Sequence, residues 1–171
     1  MVGLSGDCGF LMAYQVFVRQ CTKLPVFMSS LLQTPLIAAS IEENDKIGIL
    51  SANSKTLEPN LSKLLTECGV SNNINQFYVI GCENIDGFEA VAKGEKVNYK
   101  KVMIGIEELV FEKLAENPGT KALLMECTEL PCYSDTLRAS TALPVFDAIT
   151  MINFFYSSCT DNPNFGINDW D

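Results

Sequence analysis

Two cysteines stand in settings that could support acid–base chemistry. Cys8 lies within Gly6-Asp7-Cys8-Gly9-Phe10, and Cys127 follows the apolar run at residues 122–125. A thiol at the start of a helix meets unpaired backbone N–H groups, which lower its pKa from about 8.5 toward neutrality. Two such thiols on opposite sides of one carbon could remove a proton from one face and return one to the other. This chemistry would invert a stereocentre without a cofactor.

The seven cysteines could equally be small buried side chains, because free cysteine is among the most buried residue types. We favour that interpretation for Cys21, Cys68, Cys82 and Cys159, whereas the local pattern around Cys8 and Cys127 leaves both interpretations open. An odd number of cysteines without a CxxC pair, and no signal peptide before them, indicates free thiols in a reducing compartment. We therefore expect a cytoplasmic protein.

Composition excludes several classes of function. The chain has 171 residues, no histidine, and 12 Lys+Arg against 21 Asp+Glu, for a formal net charge of −9. Without histidine, Ser-His-Asp hydrolysis, Cys-His hydrolysis and His-ligated metals are excluded. No basic cluster stands out and no apolar run is long enough to span a bilayer, so we expect neither nucleic-acid nor membrane binding.

Motifs for metals and cofactors are incomplete. Cys127 and Cys132 would need two further thiols to hold a structural zinc ion. The spacing of Gly3, Gly6 and Gly9 is not the dinucleotide-binding fingerprint, and no Walker lysine follows it. We therefore expect no metal and no cofactor.

Short apolar runs alternate with helical patterns along the whole chain. Strands are predicted at residues 1–4, 25–28, 46–50, 76–80, 122–125 and 144–146, and helices at 10–22, from about 31, and at 56–67, 84–93, 98–116, 130–140 and 148–159. This alternation is typical of an α/β fold with mainly parallel sheets flanked by helices. Ligands of such folds bind at the carboxyl ends of strands, where Cys8, Cys127 and the loop at residues 51–54 fall. That loop could bind a carboxylate through Ser51, Asn53 and Ser54, or form an ordinary capped turn.

Five motifs carry a family resemblance. They are Gly6-Asp7-Cys8-Gly9-Phe10, the stretches 25–33 and 48–54, Leu124-Met125-Glu126-Cys127-Thr128-Glu129-Leu130-Pro131, and Pro144-Val145-Phe146-Asp147. In this order they resemble the aspartate/glutamate racemase superfamily, in its uncharacterised branch with a Gly-Asp-Cys-Gly-Phe motif, over most of residues 3–156. The resemblance implies two pseudosymmetric lobes with an active-site cleft between them. Residues 1–42 and 137–171 would form the first lobe, and residues 43–136 the second.

The resemblance also implies roles for individual residues. Cys8 and Cys127 would be the catalytic pair, and the substrate-binding residues would be Gly9, Ser51, Asn53, Ser54, Thr128 and Glu129. Glu126 stands where relatives usually carry a small glycine, and a carboxylate pointing inward there would raise the pKa of the neighbouring thiol. The chain resembles a member that lacks the N-terminal strands of the family. Such a lobe would expose apolar surface, which favours an oligomer such as a homodimer.

The function that the resemblance implies is a cofactor-independent racemase or epimerase, an isomerase. Its substrate would be a small carboxylate, aspartate- or glutamate-like, held between Cys8 and Cys127. Two alternatives stay open. One is a decarboxylase or cis–trans isomerase of a small diacid, and the other is a non-catalytic carboxylate-binding protein.

Overall fold

A computed structural model describes residues 1–70 and 74–160 of the chain. The strands are β1 Leu4–Ser5, β2 Val26–Phe27, β3 Lys46–Ser51, β4 Phe77–Gly81, β5 Thr120–Met125 and β6 Val145–Phe146. The helices are α1 Gln15–Cys21, α2 Thr34–Ala39, α3 Ser54–Cys68, α4 Glu89–Lys93, α5 Tyr99–Glu116, α6 Ser134–Thr141 and α7 Ala148–Ser157. The predicted α/β class with parallel strands flanked by helices is confirmed. The predicted division into two pseudosymmetric lobes stays a prediction, and residues 161–171 of its first lobe lie outside the described residues.

The central sheet has four parallel strands in the order β4-β3-β5-β6. Its middle strands β3 and β5 are covered on both faces, so both read as nearly continuous apolar runs. Successive side chains of a strand point to opposite faces. Ile49 and Leu124 therefore pack toward α3, whereas Leu50 and Leu123 pack toward α5 and α6. Because β3 and β5 are parallel, the chain leaves both strands at the same edge of the sheet.

A smaller sheet pairs β1 with β2 in parallel, over two residues each. The side-chain amide of Gln15 supports it, because Nε2 donates to the Val26 carbonyl at 2.8 Å and Oε1 accepts from the Met28 N–H at 2.9 Å. Residues 10–22 contain few polar side chains, which predicts one largely buried helix, and this prediction is wrong. A 3-10 helix at Gly9–Tyr14 precedes α1, and Phe17 is 65% exposed. Two short strands are too small a surface to cover this apolar helix.

Capping side chains fix the starts of the helices that follow strands. An aspartate directly before the last apolar helical run predicts Asp147 as a cap, and its carboxylate accepts from the Thr150 N–H at 2.8 Å at the start of α7. The sequence also predicts Ser54 as the cap of the helix at 56–67. This prediction is wrong by one residue, because Asn53 accepts from the Thr56 N–H, at 3.2 Å. None of the described helices is both long and apolar enough to span a membrane.

Candidate active site

Two hydrogen bonds hold the two cysteine segments against each other. The Gly9 N–H donates to the Glu126 carbonyl at 2.7 Å, and the Thr128 hydroxyl donates to Asp7 Oδ1 at 3.1 Å. These two bonded pairs flank the cysteines on both sides, so Cys8 lies opposite Cys127. Cys8 also contributes electrostatically to the raised pKa of Cys127, which places the two thiols within interaction range. The structure thus brings the two predicted thiols together, while their catalytic role stays a prediction.

Each thiol follows the carboxyl end of a parallel strand. Cys127 comes two residues after β5, and Cys8 comes three residues after β1, immediately before the 3-10 helix at Gly9–Tyr14. The end of β5 is anchored by the Ser30 hydroxyl, which donates to the Met125 carbonyl at 2.7 Å. Both cysteines are free thiols, outside any disulfide, and are of intermediate exposure. A small molecule could therefore reach both of them from solvent.

The Cys127 thiol holds its proton strongly. Burial raises its pKa to about 11, with smaller upward contributions from Glu126, Cys8 and Glu129, while the backbone of Glu129 opposes the shift. The prediction of a lowered thiol pKa is wrong for Cys127. The nearest helical turn begins only at Pro131, so this thiol is not at a helix N-terminus. Cys127 is consequently a neutral thiol near pH 7.

The residue before this thiol is a buried acid. Glu126 is 1% exposed, and its Oε1 accepts from the Ser51 hydroxyl at 2.6 Å. Burial raises the pKa of Glu126, whereas the Ser51 hydroxyl and the backbone N–H groups of Gly9 and Ala52 act in the opposite direction. Sequence reasoning noticed Glu126 only as a departure from a family pattern. A signal was present, because a carboxylate directly after a wholly apolar strand end is unusual in a protein interior.

The six predicted substrate-binding residues divide into three at or after the end of β3 and three that lie beside the thiols. Ser51 is engaged with Glu126 and accepts from the Asn53 N–H at 3.1 Å, while the Asn53 side chain caps α3. The Ser54 backbone N–H donates to Glu83 Oε2 at 3.1 Å, and its hydroxyl also bonds this carboxylate. Gly9, Thr128 and Glu129 lie beside the thiols, and the last two are exposed. Substrate binding by all six stays a prediction.

A cavity of about 670 Å³ opens beside the edge strand β4 and is lined by Ser54 and Glu83, among others. Neither Cys8 nor Cys127 lines it, so it is separate from the thiol pair. Within residues 1–70 and 74–160, no group of three or more acidic or cysteine side chains could hold a metal ion.

No protein-family model matches the chain. Individual relatives are close. Dimethylsulfoniopropionate lyase from Durusdinium sp. clade D is 46% identical over 167 residues, covering 98% of this chain and 56% of that protein. Dimethylsulfoniopropionate lyases 7 and 5 of Emiliania huxleyi are 44% and 45% identical over 174 and 170 residues, covering 99% and 98% of this chain. By name, each of these relatives is a lyase. The chain spans 51% and 34% of the two Emiliania proteins, so it matches about half or less of their length.

These names overturn the functional prediction from the motifs. The assignment to aspartate/glutamate racemases is wrong, as are the isomerase class and the decarboxylase alternative, because the relatives are named as lyases of a different substrate. The motifs predict only that two thiols lie beside a bound carboxylate. Thiols beside a bound carboxylate can take a proton from its α-carbon, and this first step is common to racemisation and elimination. Motif order does not say whether that proton returns or a neighbouring bond breaks.

Proposed function

We propose that this chain carries the thiol pair of a dimethylsulfoniopropionate lyase. The observation that carries the proposal is 43–46% identity to proteins of that name over 98–99% of the chain. The opposed positions of Cys8 and Cys127 support it, because they bring two proton-transfer groups to one place at the carboxyl ends of strands. The predicted small-carboxylate ligand fits, since this substrate bears a carboxylate. A homodimer and a cytoplasmic location stay predictions.

The reaction that fits the substrate is an elimination. Dimethylsulfoniopropionate has a carboxylate and a dimethylsulfonium group on adjacent carbons of a short chain. A base removes a proton from the carbon next to the carboxylate, the electron pair forms a C=C bond, and the C–S bond electrons leave with sulfur. The products are acrylate, neutral dimethyl sulfide and the protonated base. Because a sulfonium leaves as a neutral sulfide, the leaving group needs no proton, and a single base suffices.

The two thiols can divide the remaining work. Cys127 keeps its proton, because its pKa is raised to about 11, so it serves as a hydrogen-bond donor to the charge that develops on the substrate carboxylate. Cys8 is then the base. The exposed carboxylate of Glu129, whose charge acts on Cys127, would favour the sulfonium cation in the same site.

Product formation tests this assignment. We expect the chain to convert dimethylsulfoniopropionate to dimethyl sulfide, measured by gas chromatography, and to acrylate, measured by proton NMR, in equal amounts. Cys8→Ser should lower kcat/KM by about 10²-fold or more, because it removes a positioned general base. Cys159→Ser, at an exposed thiol near the end of the described residues, is the matched control. The absence of dimethyl sulfide from the wild-type chain, or an undiminished rate in Cys8→Ser, contradicts the proposal.

A further inference from the structure

The Glu126 carboxyl is enclosed where the two thiol segments meet. One oxygen, Oε1, is bound by the Ser51 hydroxyl at 2.6 Å. The other, Oε2, lies so close to Gly9 that a Cβ atom on this glycine would be 1.8 Å away. Among the described residues, Oε2 accepts no hydrogen bond of good geometry, although the Gly9 and Ala52 N–H groups lie close enough to favour the ionised carboxyl. A buried, half-satisfied carboxyl is costly to stability, and its place between the neighbours of both thiols suggests a role in their chemistry.

We propose that Glu126 is a positioning residue that helps to keep the proton on Cys127, the hydrogen-bond donor of the pair. This inference rests on the proposed lyase function and deepens it. Glu126 does not act on the substrate itself, because its carboxyl is shut behind Gly9 and 99% of its surface is removed from solvent. It acts through the neighbouring residue, as a negative charge that disfavours the Cys127 thiolate.

The charged surroundings of Cys127 come from several elements. Glu126 follows β5, Cys8 precedes the 3-10 helix at Gly9–Tyr14, and Glu129 lies in the loop before α6, and all three raise the pKa of Cys127. Cys82, after β4, also lies within interaction range of Cys127 and Glu126. None of the ion pairs in the described part of the chain includes Glu126. Among the described residues, no lysine or arginine side chain is therefore paired with this carboxyl.

Ser51 sets how readily Glu126 carries this charge. Burial favours the neutral carboxyl, whereas the hydrogen bond from the Ser51 hydroxyl favours the ionised form. The same hydroxyl accepts from the Asn53 N–H at 3.1 Å, so it is oriented to donate its proton to the carboxyl. Ser51 thus connects the end of β3 to the ionisation of a group beside the thiol.

The experiment measures the ionisation of Cys127 directly. Glu126→Gln keeps the size of the side chain and an oxygen for the Ser51 hydroxyl but removes the charge. Alkylation by iodoacetamide, followed at Cys127 by mass spectrometry between pH 6 and 10, reports the thiolate fraction. Where the pH is well below the pKa of the thiol, we expect alkylation in the variant to be faster by about tenfold for each unit by which the pKa falls. Glu67→Gln, which removes a charge beside Cys68, should leave the Cys127 rate unchanged.

The lyase assay supplies a second readout. In Glu126→Gln the alkaline limb of the pH–rate profile should move to lower pH, because Cys127 loses its donor proton earlier. A role in packing alone would lower the rate at every pH without moving this limb. If Glu126→Gln does not fold, Ser51→Ala replaces it, and we expect faster Cys127 alkylation near neutral pH because the carboxyl is then less ionised.

An unchanged Cys127 alkylation profile in a folded variant overturns the proposal. This readout needs no substrate, so it is independent of whether the chain releases dimethyl sulfide. A wild-type chain that makes no dimethyl sulfide would contradict the lyase function, whereas equal alkylation rates would contradict only the role of Glu126.

Discussion

Replacing Gly9 by alanine tests the packing on which the candidate site depends. The added Cβ would lie 1.8 Å from Glu126 Oε2, 2.7 Å from its Cδ and 3.1 Å from its Cβ. Unbonded heavy atoms normally approach to about 3.5 Å, so the carboxyl would have to retreat by more than about 1.5 Å. Retreat breaks the hydrogen bond with Ser51 or opens the Gly9–Glu126 backbone bond of 2.7 Å. Either movement separates the two thiol segments.

The expected cost follows from overpacking a closed site. We expect Gly9→Ala to lower the free energy of unfolding by about 1–3 kcal/mol. For a chain of this size, that loss corresponds to a fall in Tm of about 2–12 °C. We also expect catalytic activity to fall by more than the loss of folded protein explains, because the opposed positions of Cys8 and Cys127 depend on this contact.

A double-mutant cycle measured by urea denaturation separates this clash from other effects. Glu126→Ala removes the two carboxyl atoms closest to the added methyl group, so it should recover much of the loss caused by Gly9→Ala. We expect a coupling free energy of about 1–3 kcal/mol between the two positions. Independent sites add to within about 0.5 kcal/mol, so additivity at that level would refute the proposed contact.

Three further predictions concern the fold and its pH dependence. Asp147→Ala should lower the free energy of unfolding by about 2–4 kcal/mol in thermal denaturation, because it removes a helix cap and a buried acceptor for Ser134. The control Asp135→Ala, at a 97% exposed side chain, should lower it by less than about 0.5 kcal/mol. Ile49→Ala, at a fully buried position of β3, should cost about 2–5 kcal/mol in urea denaturation. Burial raises the pKa of Glu126, so this side chain binds a proton more readily in the folded state than in the unfolded chain. The contribution of Glu126 to the free energy of unfolding is therefore present below about pH 4.3 and is lost as pH rises through the raised pKa. Unfolding free energies between pH 4 and 8 should therefore decline less in Glu126→Gln than in the wild type, and parallel curves would contradict this assignment.

Local sequence determined the strands and most helix boundaries. The apolar runs at residues 46–50 and 122–125 predict β3 and β5, because strands covered on both faces need little else than bulk and β-propensity. Asp147 predicts the start of α7, since its cap involves a residue only three positions along the chain. Longer-range surroundings decided the segment at residues 10–22. Its apolar composition predicted burial, but the small β1–β2 sheet leaves Phe17 exposed.

Some features of the candidate site could likewise be predicted from the sequence, and others depended on the tertiary structure. Sequence alone singled out Cys8 and Cys127, because their positions after apolar strands can be recognised locally. The sequence could not predict the raised pKa of Cys127, since desolvation of the thiol depends on packing around the whole site. Nor could it identify the partner of Glu126, because Ser51 is 75 residues away along the chain and meets the carboxyl only where β3 and β5 end side by side. The two cysteines of the candidate site could thus be recognised in the sequence, whereas the raised pKa of Cys127 arises only when the tertiary structure buries this thiol and brings acidic side chains beside it.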